Sequence, residues 1–326
     1  MKQLALNGLL AVALMSSASV FAVQVPGPLV DTEWLAKNQK QVTILEVRKD
    51  VKSFTASPVF EKDAKTGQQK LSKVGGHIPD SVLVDYKQVR QDRTVNGQKV
   101  KFLIPEKPVF EKLMQTVGLN KDSAIVIVSK GENNHDMTGA TRLYWELKYF
   151  GQDNMAILNG GMAQWIIDGR KVSSETSKPA AGNWVATAER KELLATSDDV
   201  AKAIKEGNTQ LVDTRSMSQY MGMWKKPTLK TAGHIPGAKP FPNDLLTGPA
   251  APNKFFPAEK MKMLTAEMGL KSTGNTITYC NTGHLASGSW FVMHELLGNK
   301  DAKLYDGSMH EWTLENHPTV SMKMEK

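Results

Sequence analysis

The apolar residues of this chain fall into short continuous runs separated by amphipathic stretches. Four runs rich in β-branched side chains stand at Val42–Val47, Ala124–Ser129, Gln210–Asp213 and Thr276–Tyr279. Because these runs are continuous rather than alternating, they predict strands buried on both faces of a parallel sheet. Helical patterns lie between them, at Pro108–Val117, Ala140–Phe150, Ala258–Met268 and Ser287–Leu297, each followed by a glycine suited to a left-handed cap. This alternation predicts an α/β fold in which parallel sheets carry helices on both faces.

The chain also repeats itself. Four landmarks of the first half return in the same order in the second half: Thr43–Arg48 as Gln210–Arg215, Gly76–Pro79 as Gly233–Pro236, Val117–Leu119 as Met268–Leu270, and Leu158–Met162 as Tyr305–Met309. Arg48 and Arg215 are 167 positions apart, whereas Gly160 and Gly307 are 147 apart, so the first copy has the longer loops. The repeat predicts two domains of similar fold, which the length of 326 residues also favours.

Residues 1–22 have the layout of a secretory signal peptide. Lys2 precedes an apolar run from Leu4 to Met15, and Val20-Phe21-Ala22 supplies the small or short side chains of a cleavage site. The run is too short to span a bilayer, and no other stretch approaches the roughly 18 apolar residues that a membrane helix needs. We therefore expect a periplasmic or secreted protein that begins near Val23 and does not bind the membrane.

The remaining boundaries follow from the repeat and from local composition. We place the first domain at residues 23–175, a linker at 176–190 and the second domain at 191–326. The linker is expected where Ser, Thr, Pro and Ala dominate, around Ser173–Asn183.

Composition narrows the classes of function. A single cysteine excludes an intramolecular disulfide framework, a zinc ribbon and a cysteine-ligated cluster. The excess of 41 Lys and Arg over 33 Asp and Glu gives a net charge of +8, which suits an anionic partner. No run of Lys or Arg exceeds two residues, so we predict no nucleic-acid binding. The 16 methionines form no cluster with histidine, so they indicate core packing, and we predict neither a metal nor a cofactor.

The candidate chemistry centres on Cys280. This residue follows the predicted strand Thr276–Tyr279 and precedes the loop Asn281–Ser287, which opens a helix. Ligands of doubly wound sheets bind at the carboxyl ends of strands. The N–H groups of a glycine-containing loop, together with the helix N-terminus, favour a thiolate over a thiol and so make a nucleophile. The alternative is that Cys280 is a small buried core residue.

Several motifs together point to a known family. Val212-Asp213-Thr214-Arg215, Ala232–Ala238, Cys280 at a strand end and Tyr305–Trp312 occur in this order. The arrangement resembles the tandem form of the rhodanese sulfurtransferases, and the match extends over nearly the whole mature chain. The resemblance implies two rhodanese-like domains, each a five-stranded parallel sheet flanked by helices, with the catalytic cysteine in the second. It also implies a ping-pong reaction through a Cys280 persulfide, from a small anionic sulfur donor to cyanide or a thiol.

The residues around Cys280 leave the donor open between thiosulfate and 3-mercaptopyruvate. Relatives that use thiosulfate often have a basic residue one or two places after the cysteine, where this chain has Asn281 and Thr282. The small residues of relatives that use mercaptopyruvate are absent too. We expect thiosulfate to be used but bound weakly, mainly through the loop of Asn281, Thr282, Gly283, His284 and Leu285. Arg215 could orient an anionic substrate, or could instead form a salt bridge with Asp213.

The residues that follow Cys280 exclude a phosphatase but do not exclude a sulfur carrier. A rhodanese-related phosphatase needs an arginine six places after its cysteine, and Ala286 stands there instead. A non-enzymatic persulfide carrier remains an alternative. In the first copy Ser129 aligns with Cys280, which predicts a non-catalytic domain that walls the active-site cleft. Lys225, Lys226 and Lys230 precede His234 and could recruit an anion, or could simply be solvated.

Overall fold

The computed structural model describes residues 23–176 and 178–322. The predicted signal peptide, residues 1–22, lies outside this range. Across the described residues, none of the helices is both long enough and apolar enough to cross a membrane.

The first domain is built on a five-stranded parallel sheet. Its strands, two additional hairpins included, are β1 (Leu29–Val30), β2 (Thr43–Arg48), β3 (Val59–Lys62), β4 (Gln69–Lys73), β5 (Val82–Asp85), β6 (Gln91–Val95), β7 (Gln98–Leu103), β8 (Ile125–Val128) and β9 (Met155–Leu158). The sheet order is β1-β9-β8-β2-β5. Its helices are α1 (Thr32–Asn38), α2 (Lys107–Thr116), α3 (Asn134–Tyr149) and α4 (Gly161–Ile167).

The second domain repeats this topology. Its strands are β10 (Leu194–Ala195), β11 (Gln210–Asp213), β12 (Lys239–Pro240), β13 (Thr276–Tyr279) and β14 (Ala302–Tyr305), in the order β10-β14-β13-β11-β12. Its helices are α5 (Ser197–Glu206), α6 (Met217–Tyr220), α7 (Ala258–Glu267), α8 (His284–Phe291) and α9 (Ser308–Leu314). All neighbouring strands within each of the two sheets are parallel. The predicted α/β fold, with two tandem domains of one design, is confirmed.

The central strands are buried along their whole length, as their composition requires. All four residues of β8 and all four of β13 are buried. Apolar side chains on both faces of a parallel strand need cover from helices on both sides, which α3 and α8 help to supply. The two hairpins, β3–β4 and β6–β7, belong to the longer loops of the first domain and are largely exposed.

The two domains share one large hydrophobic core, and each domain also has a smaller core of its own. Helices α3 and α8, which follow the central strands of their sheets, pack against each other. Their aromatic side chains meet there, with the rings of Tyr144 and Phe291 5.1 Å apart in an edge-on arrangement. The shared core contains residues of both domains, and Cys280 is one of them. The carboxyl end of β13 therefore lies at the domain interface.

The segment between the domains is docked rather than loose. Among its described residues, 174–176 and 178–190, none lies in a helix or strand. The Trp184 side chain packs edge-on against Phe110 of α2. The Trp184 N–H donates to the Leu119 carbonyl, and the Trp184 carbonyl accepts a hydrogen bond from the Gln115 side chain. The linker boundaries at 176–190, and those of the domains on either side, stay predictions.

Candidate active site

Cys280 is the first residue after β13 and is 1% exposed. The next three residues turn the chain into α8, and Gly283 makes this turn possible with a left-handed backbone at φ +73°. The Thr282 N–H points at the Cys280 Sγ, with the nitrogen 3.5 Å from the sulfur. A backbone donor aimed at sulfur favours negative charge there.

Ser308 holds this loop from below. Its Oγ accepts hydrogen bonds from the N–H groups of Cys280, at 3.0 Å, and Gly283, at 3.1 Å, and donates to the Tyr305 carbonyl at 2.8 Å. Ser308 has a left-handed backbone, with φ +52°. Sequence reasoning quoted Ser308 within a motif but gave it no role.

Asn281 is buried and has a buried partner that the sequence did not indicate. Its Nδ2 donates to Gln219 Oε1 of α6 at 3.4 Å, and its carbonyl accepts from the His310 N–H at 3.0 Å. Asn281 Oδ1 and Gln219 Nε2 have no hydrogen-bond partner among the described residues, although both are buried. The residue next to the nucleophile therefore has an unpaired amide acceptor, and its partner Gln219 has an unpaired amide donor.

Thr282 is contacted by an arginine of the first domain. Arg90 Nη2 donates to the Thr282 carbonyl at 2.7 Å and to its Oγ1 at 2.9 Å. The guanidinium also lies over the Phe102 ring, 4.5 Å from its centroid. Sequence reasoning missed Arg90, because 192 positions separate it from Thr282.

His284, the first residue of α8, is surrounded by first-domain side chains. Its Nδ1 bonds the Tyr86 hydroxyl, and its Nε2 lies 2.9 Å from Lys49 Nζ and 3.1 Å from Thr138 Oγ1. Burial lowers the pKa of His284 well below its usual range, helped by nearby Lys49, Arg90, His135 and Arg142, so the ring is neutral. Since the Lys49 ammonium can only donate, Nε2 is the acceptor nitrogen and Nδ1 carries the proton.

A buried ion pair ties the first domain to the same loop. Arg142 of α3 bonds Asp306, which follows β14, and its Nε donates to Glu146 at 2.6 Å. The second Asp306 oxygen accepts from the Ile104 N–H at 2.6 Å. A Cβ at Gly283 would lie 2.3 Å from Asp306 and 2.7 Å from Arg142, so this pair packs directly on the turn.

Two of the predicted substrate-binding residues have other partners in the structure. The buried Arg215 guanidinium forms a salt bridge with Asp213 and donates to the Gly233 carbonyl at 2.8 Å. In the first domain Arg48 makes the corresponding bonds to Glu46 and to the Gly76 carbonyl. Leu285 is partly buried and packs against the main core. The Arg215 contacts are those of the salt bridge that the sequence offered as its alternative role. For Arg215 and Leu285, a role in substrate binding stays a prediction.

Ser129 occupies in the first domain the position that Cys280 has in the second. It follows β8, and its carbonyl accepts from the Met162 N–H at 2.8 Å, just as the Cys280 carbonyl accepts from the Met309 N–H at 3.1 Å. The Ser129 hydroxyl is buried and donates to Met137 Sδ at 3.0 Å.

The lysines before His234 also find partners. Lys225 Nζ donates to the Leu229 carbonyl at 2.7 Å, and Lys230 Nζ donates to the Leu314 carbonyl at 2.9 Å. Lys226 is exposed and acts electrostatically on Lys49 across the domain interface.

Comparison with known proteins agrees with this geometry. The description of the rhodanese-like domain matches residues 31–168 and again residues 196–315. The chain belongs to the rhodanese family. Each match contains four of the five strands of one sheet, so this rhodanese has the tandem form.

Relatives of this rhodanese include proteins with two kinds of name. A protein of Saccharopolyspora erythraea, named "Putative thiosulfate sulfurtransferase", is 31% identical over 292 residues, which are 87% of this chain and 92% of the relative. The sulfur carrier protein TtuD of Thermus thermophilus is 30% identical over 298 residues, which are 88% of this chain and 94% of the relative.

Solved structures share the fold. SseA of Escherichia coli, described among the 3-mercaptopyruvate sulfotransferases, superposes with a TM-score of 0.68 at 22% identity, covering 86% of this chain and 98% of SseA. Tum1 of Saccharomyces cerevisiae superposes with a TM-score of 0.73 at 19% identity, covering 91% of this chain and 99% of Tum1.

Proposed function

We propose that this rhodanese is a sulfurtransferase that carries sulfur on Cys280 as a persulfide. The observation that supports this most directly is the position of Cys280 at the carboxyl end of β13, with the Thr282 N–H aimed at its sulfur. The loop that presents this donor is fixed by Ser308. A loop of this kind stabilises a sulfur anion through its backbone N–H groups, whatever side chains it carries.

The reaction consists of two displacements at sulfur. In the first, the Cys280 thiolate attacks the sulfane sulfur of thiosulfate. A new S–S bond forms, the old one breaks, and its electron pair leaves with sulfite. In the second, cyanide or an acceptor thiolate attacks the outer sulfur of the persulfide. The persulfide S–S bond breaks, the Cys280 thiolate is regenerated as the leaving group, and the product is thiocyanate or the persulfide of the acceptor. No outside oxidant or reductant is needed, because each step moves a neutral sulfur atom between anions.

Thiosulfate is the proposed donor and 3-mercaptopyruvate the alternative. Relatives with the name "Putative thiosulfate sulfurtransferase" support the first, at 28–31% identity. Mercaptopyruvate remains open because its transfer would use the same nucleophile and the same loop.

A persulfide carrier without turnover of its own is the second candidate. It is favoured by the 30% identity to a protein named as a sulfur carrier. The two functions differ in kinetics, since a carrier would be loaded once and would wait for a partner protein, whereas an enzyme would release product repeatedly.

The decisive experiment separates loading from turnover. Incubation of the protein with thiosulfate alone should add about 32 Da, one sulfur atom on the nucleophile. Subsequent cyanide should remove this mass and yield thiocyanate over many cycles. Cys280→Ser should lose both the adduct and turnover, because a serine hydroxyl does not form a persulfide.

A matched control comes from the first domain. Ser129→Ala changes the equivalent position and should leave turnover within a few-fold of the parent protein, because no covalent step uses Ser129. A Cys280→Ser variant that still transferred sulfur would contradict the proposal, and so would a Ser129→Ala loss on the order of a thousandfold.

We also propose that the protein works outside the cytoplasm, in the periplasm or as a secreted protein. This rests on the charged, apolar and small-residue order of residues 1–22.

A further inference from the structure

The catalytic loop of domain 2 carries no lysine or arginine between Cys280 and Ser287, yet two cations of domain 1 lie against it. Arg90 contacts Thr282, with Nη2 2.7 Å from the carbonyl and 2.9 Å from Oγ1. Lys49 contacts His284, with Nζ 2.9 Å from Nε2. Both loop residues are within four positions of the nucleophile.

The topology of domain 1 explains why the cations meet the loop. Lys49 directly follows β2, and Arg90 stands five residues after the end of β5, the neighbouring strand. The carboxyl ends of parallel strands share one edge of a sheet, which is where such domains bind ligands. In this chain that edge of domain 1 faces the Cys280 loop of domain 2.

Lys49 and Arg90 have no acidic partner in the part of the chain that the structure describes. Within residues 23–176 and 178–322, no carboxylate lies within 4.0 Å of Lys49 Nζ or of the Arg90 guanidinium. The acid that acts most on Lys49 is Asp136, through space. Two cations held at an interface without a paired anion leave a local excess of positive charge.

The lowered pKa values of His135 and Lys49 reflect this positive charge in part. Desolvation, with Lys49 and Lys226, lowers the pKa of His135 to about 4. Desolvation, with Arg90 and Lys226 but opposed by Asp136, lowers the pKa of Lys49 to about 8. Because positive neighbours add to desolvation at both groups, an anion placed among them would be stabilised.

We propose that domain 1 supplies the anion-binding half of the donor site, in which Lys49 and Arg90 hold the sulfonate oxygens of a thiosulfate-type donor beside Cys280. This inference rests on the proposed sulfurtransferase function. When the S–S bond of the donor breaks, its electron pair leaves with sulfite, so the same two cations also stabilise the leaving group. Lys49 and Arg90, which belong to domain 1, take the place of the lysine or arginine that the loop of domain 2 lacks. Thiosulfate binding then depends on domain 1 rather than on the loop alone.

The test measures kcat/KM with two donors that differ in charge, thiosulfate at −2 and an alkane thiosulfonate at −1. Lys49→Met and Arg90→Met should each lower kcat/KM for thiosulfate by about tenfold or more, the effect of one charge-assisted hydrogen bond. The loss should be smaller for the thiosulfonate, and the variants should show a weaker dependence of kcat/KM on salt concentration than the parent.

Two sets of variants serve as controls. Lys87→Met removes an exposed lysine of the same segment, which makes no side-chain bond among the described residues, and should change kcat/KM less than twofold. Lys49→Arg and Arg90→Lys keep the charge, so they should recover most of the activity that the methionine variants lose. Melting temperatures establish that each variant is folded.

The outcomes separate this inference from the proposed function. If the parent protein forms neither the persulfide adduct nor thiocyanate, the proposed function fails. If the parent works but the methionine variants match Lys87→Met, the anion site is wrong and the function stands. Equal losses in the charge-conserving and the methionine variants, or equal losses for both donors, would assign Lys49 and Arg90 a purely structural role and overturn the inference.

Discussion

At the residue scale, the Ser308 hydroxyl fixes the catalytic loop through three backbone groups. It accepts from Cys280 and Gly283 and donates to Tyr305. The equivalent position in domain 1 is Gly161, where a Cβ would lie 2.4 Å from the Ser129 carbonyl. Of the two domains, only the one that carries the nucleophile has a serine at this position.

Ser308→Ala should damage both stability and catalysis. The substitution leaves two buried N–H donors without an acceptor, at a cost of about 1–3 kcal/mol each. We expect the free energy of unfolding to fall by roughly 2–6 kcal/mol and kcat/KM to fall at least about tenfold, because the loop loses its fixed shape. Denaturant unfolding and steady-state kinetics measure the two effects.

Ser289→Ala is the matched control. Ser289 is equally buried, but its hydroxyl has no hydrogen-bond partner among the described residues. Its removal should leave stability unchanged or slightly higher. If Ser289→Ala lost as much stability and kcat/KM as Ser308→Ala, the three hydrogen bonds of the Ser308 hydroxyl would not be the cause of the losses.

Local sequence identified only the part of the site that is contiguous in the chain. Cys280 and its loop follow one strand, so pattern and position sufficed to find them. Arg90, Tyr86 and Lys49 are 192, 198 and 235 positions from their partners, and only the docking of two domains brings them together. Nothing in the repeat distinguishes these side chains, because their contacts with the Cys280 loop of domain 2 cross from one domain to the other.

At the element scale, helix α3 carries a buried charge cluster to the interface. Arg142 lies between Glu146 and Asp306, so one cation faces two carboxylates, and Glu146 Oε2 has no partner among the described residues. Desolvation, opposed by Arg142, raises the pKa of Glu146 to about 8. A proton on Glu146 would leave the cluster neutral.

This cluster should make folding stability depend on pH. The folded protein holds a proton on Glu146 that the unfolded chain, with a pKa near 4.5, has already released. Stability from this group is therefore complete below about pH 5 and is lost as the pH rises towards about 8. Glu146→Gln removes this dependence and should gain more than about 1.4 kcal/mol relative to the parent over that interval, the value of one pKa unit.

Urea unfolding at a series of pH values measures the effect. Glu259→Gln changes an exposed glutamate and should follow the parent curve. A parallel course of the Glu146→Gln and parent curves from pH 5 to 8 would mean that Glu146 is ionised in the folded protein.

The strands were predicted better than the hairpins. Strands β11 and β13 begin and end where the apolar runs indicated. A strand that is buried on both faces appears in the sequence as a continuous apolar run, so the ends of the run mark the ends of the strand. The hairpin β6–β7 was missed, although Asn96-Gly97 at its turn, both left-handed, is a hairpin signal. Its alternating strands are short and largely exposed, so they carry little apolar periodicity.

At the scale of the whole molecule, the protein is expected to lose its first 22 residues on export. The order of Lys2, the apolar run and Val20-Phe21-Ala22 matches what signal peptidases recognise. Intact-mass analysis of the exported protein should show a new N-terminus near Val23. Substitution of an arginine at the cleavage position, Ala22→Arg, should block processing, and an exported product that retains Met1 would contradict the prediction.

The core that α3 and α8 share has a consequence for how the halves can be used. Because Tyr144, Phe291 and their neighbours bury apolar surface across the interface, unfolding of either domain would expose apolar surface of the other. We therefore expect the two domains to behave as one unit rather than as interchangeable modules. A second domain produced alone would keep its nucleophile, yet it would expose the apolar face of α8 and would lose the Lys49, Tyr86 and Thr138 side chains that now contact the His284 ring.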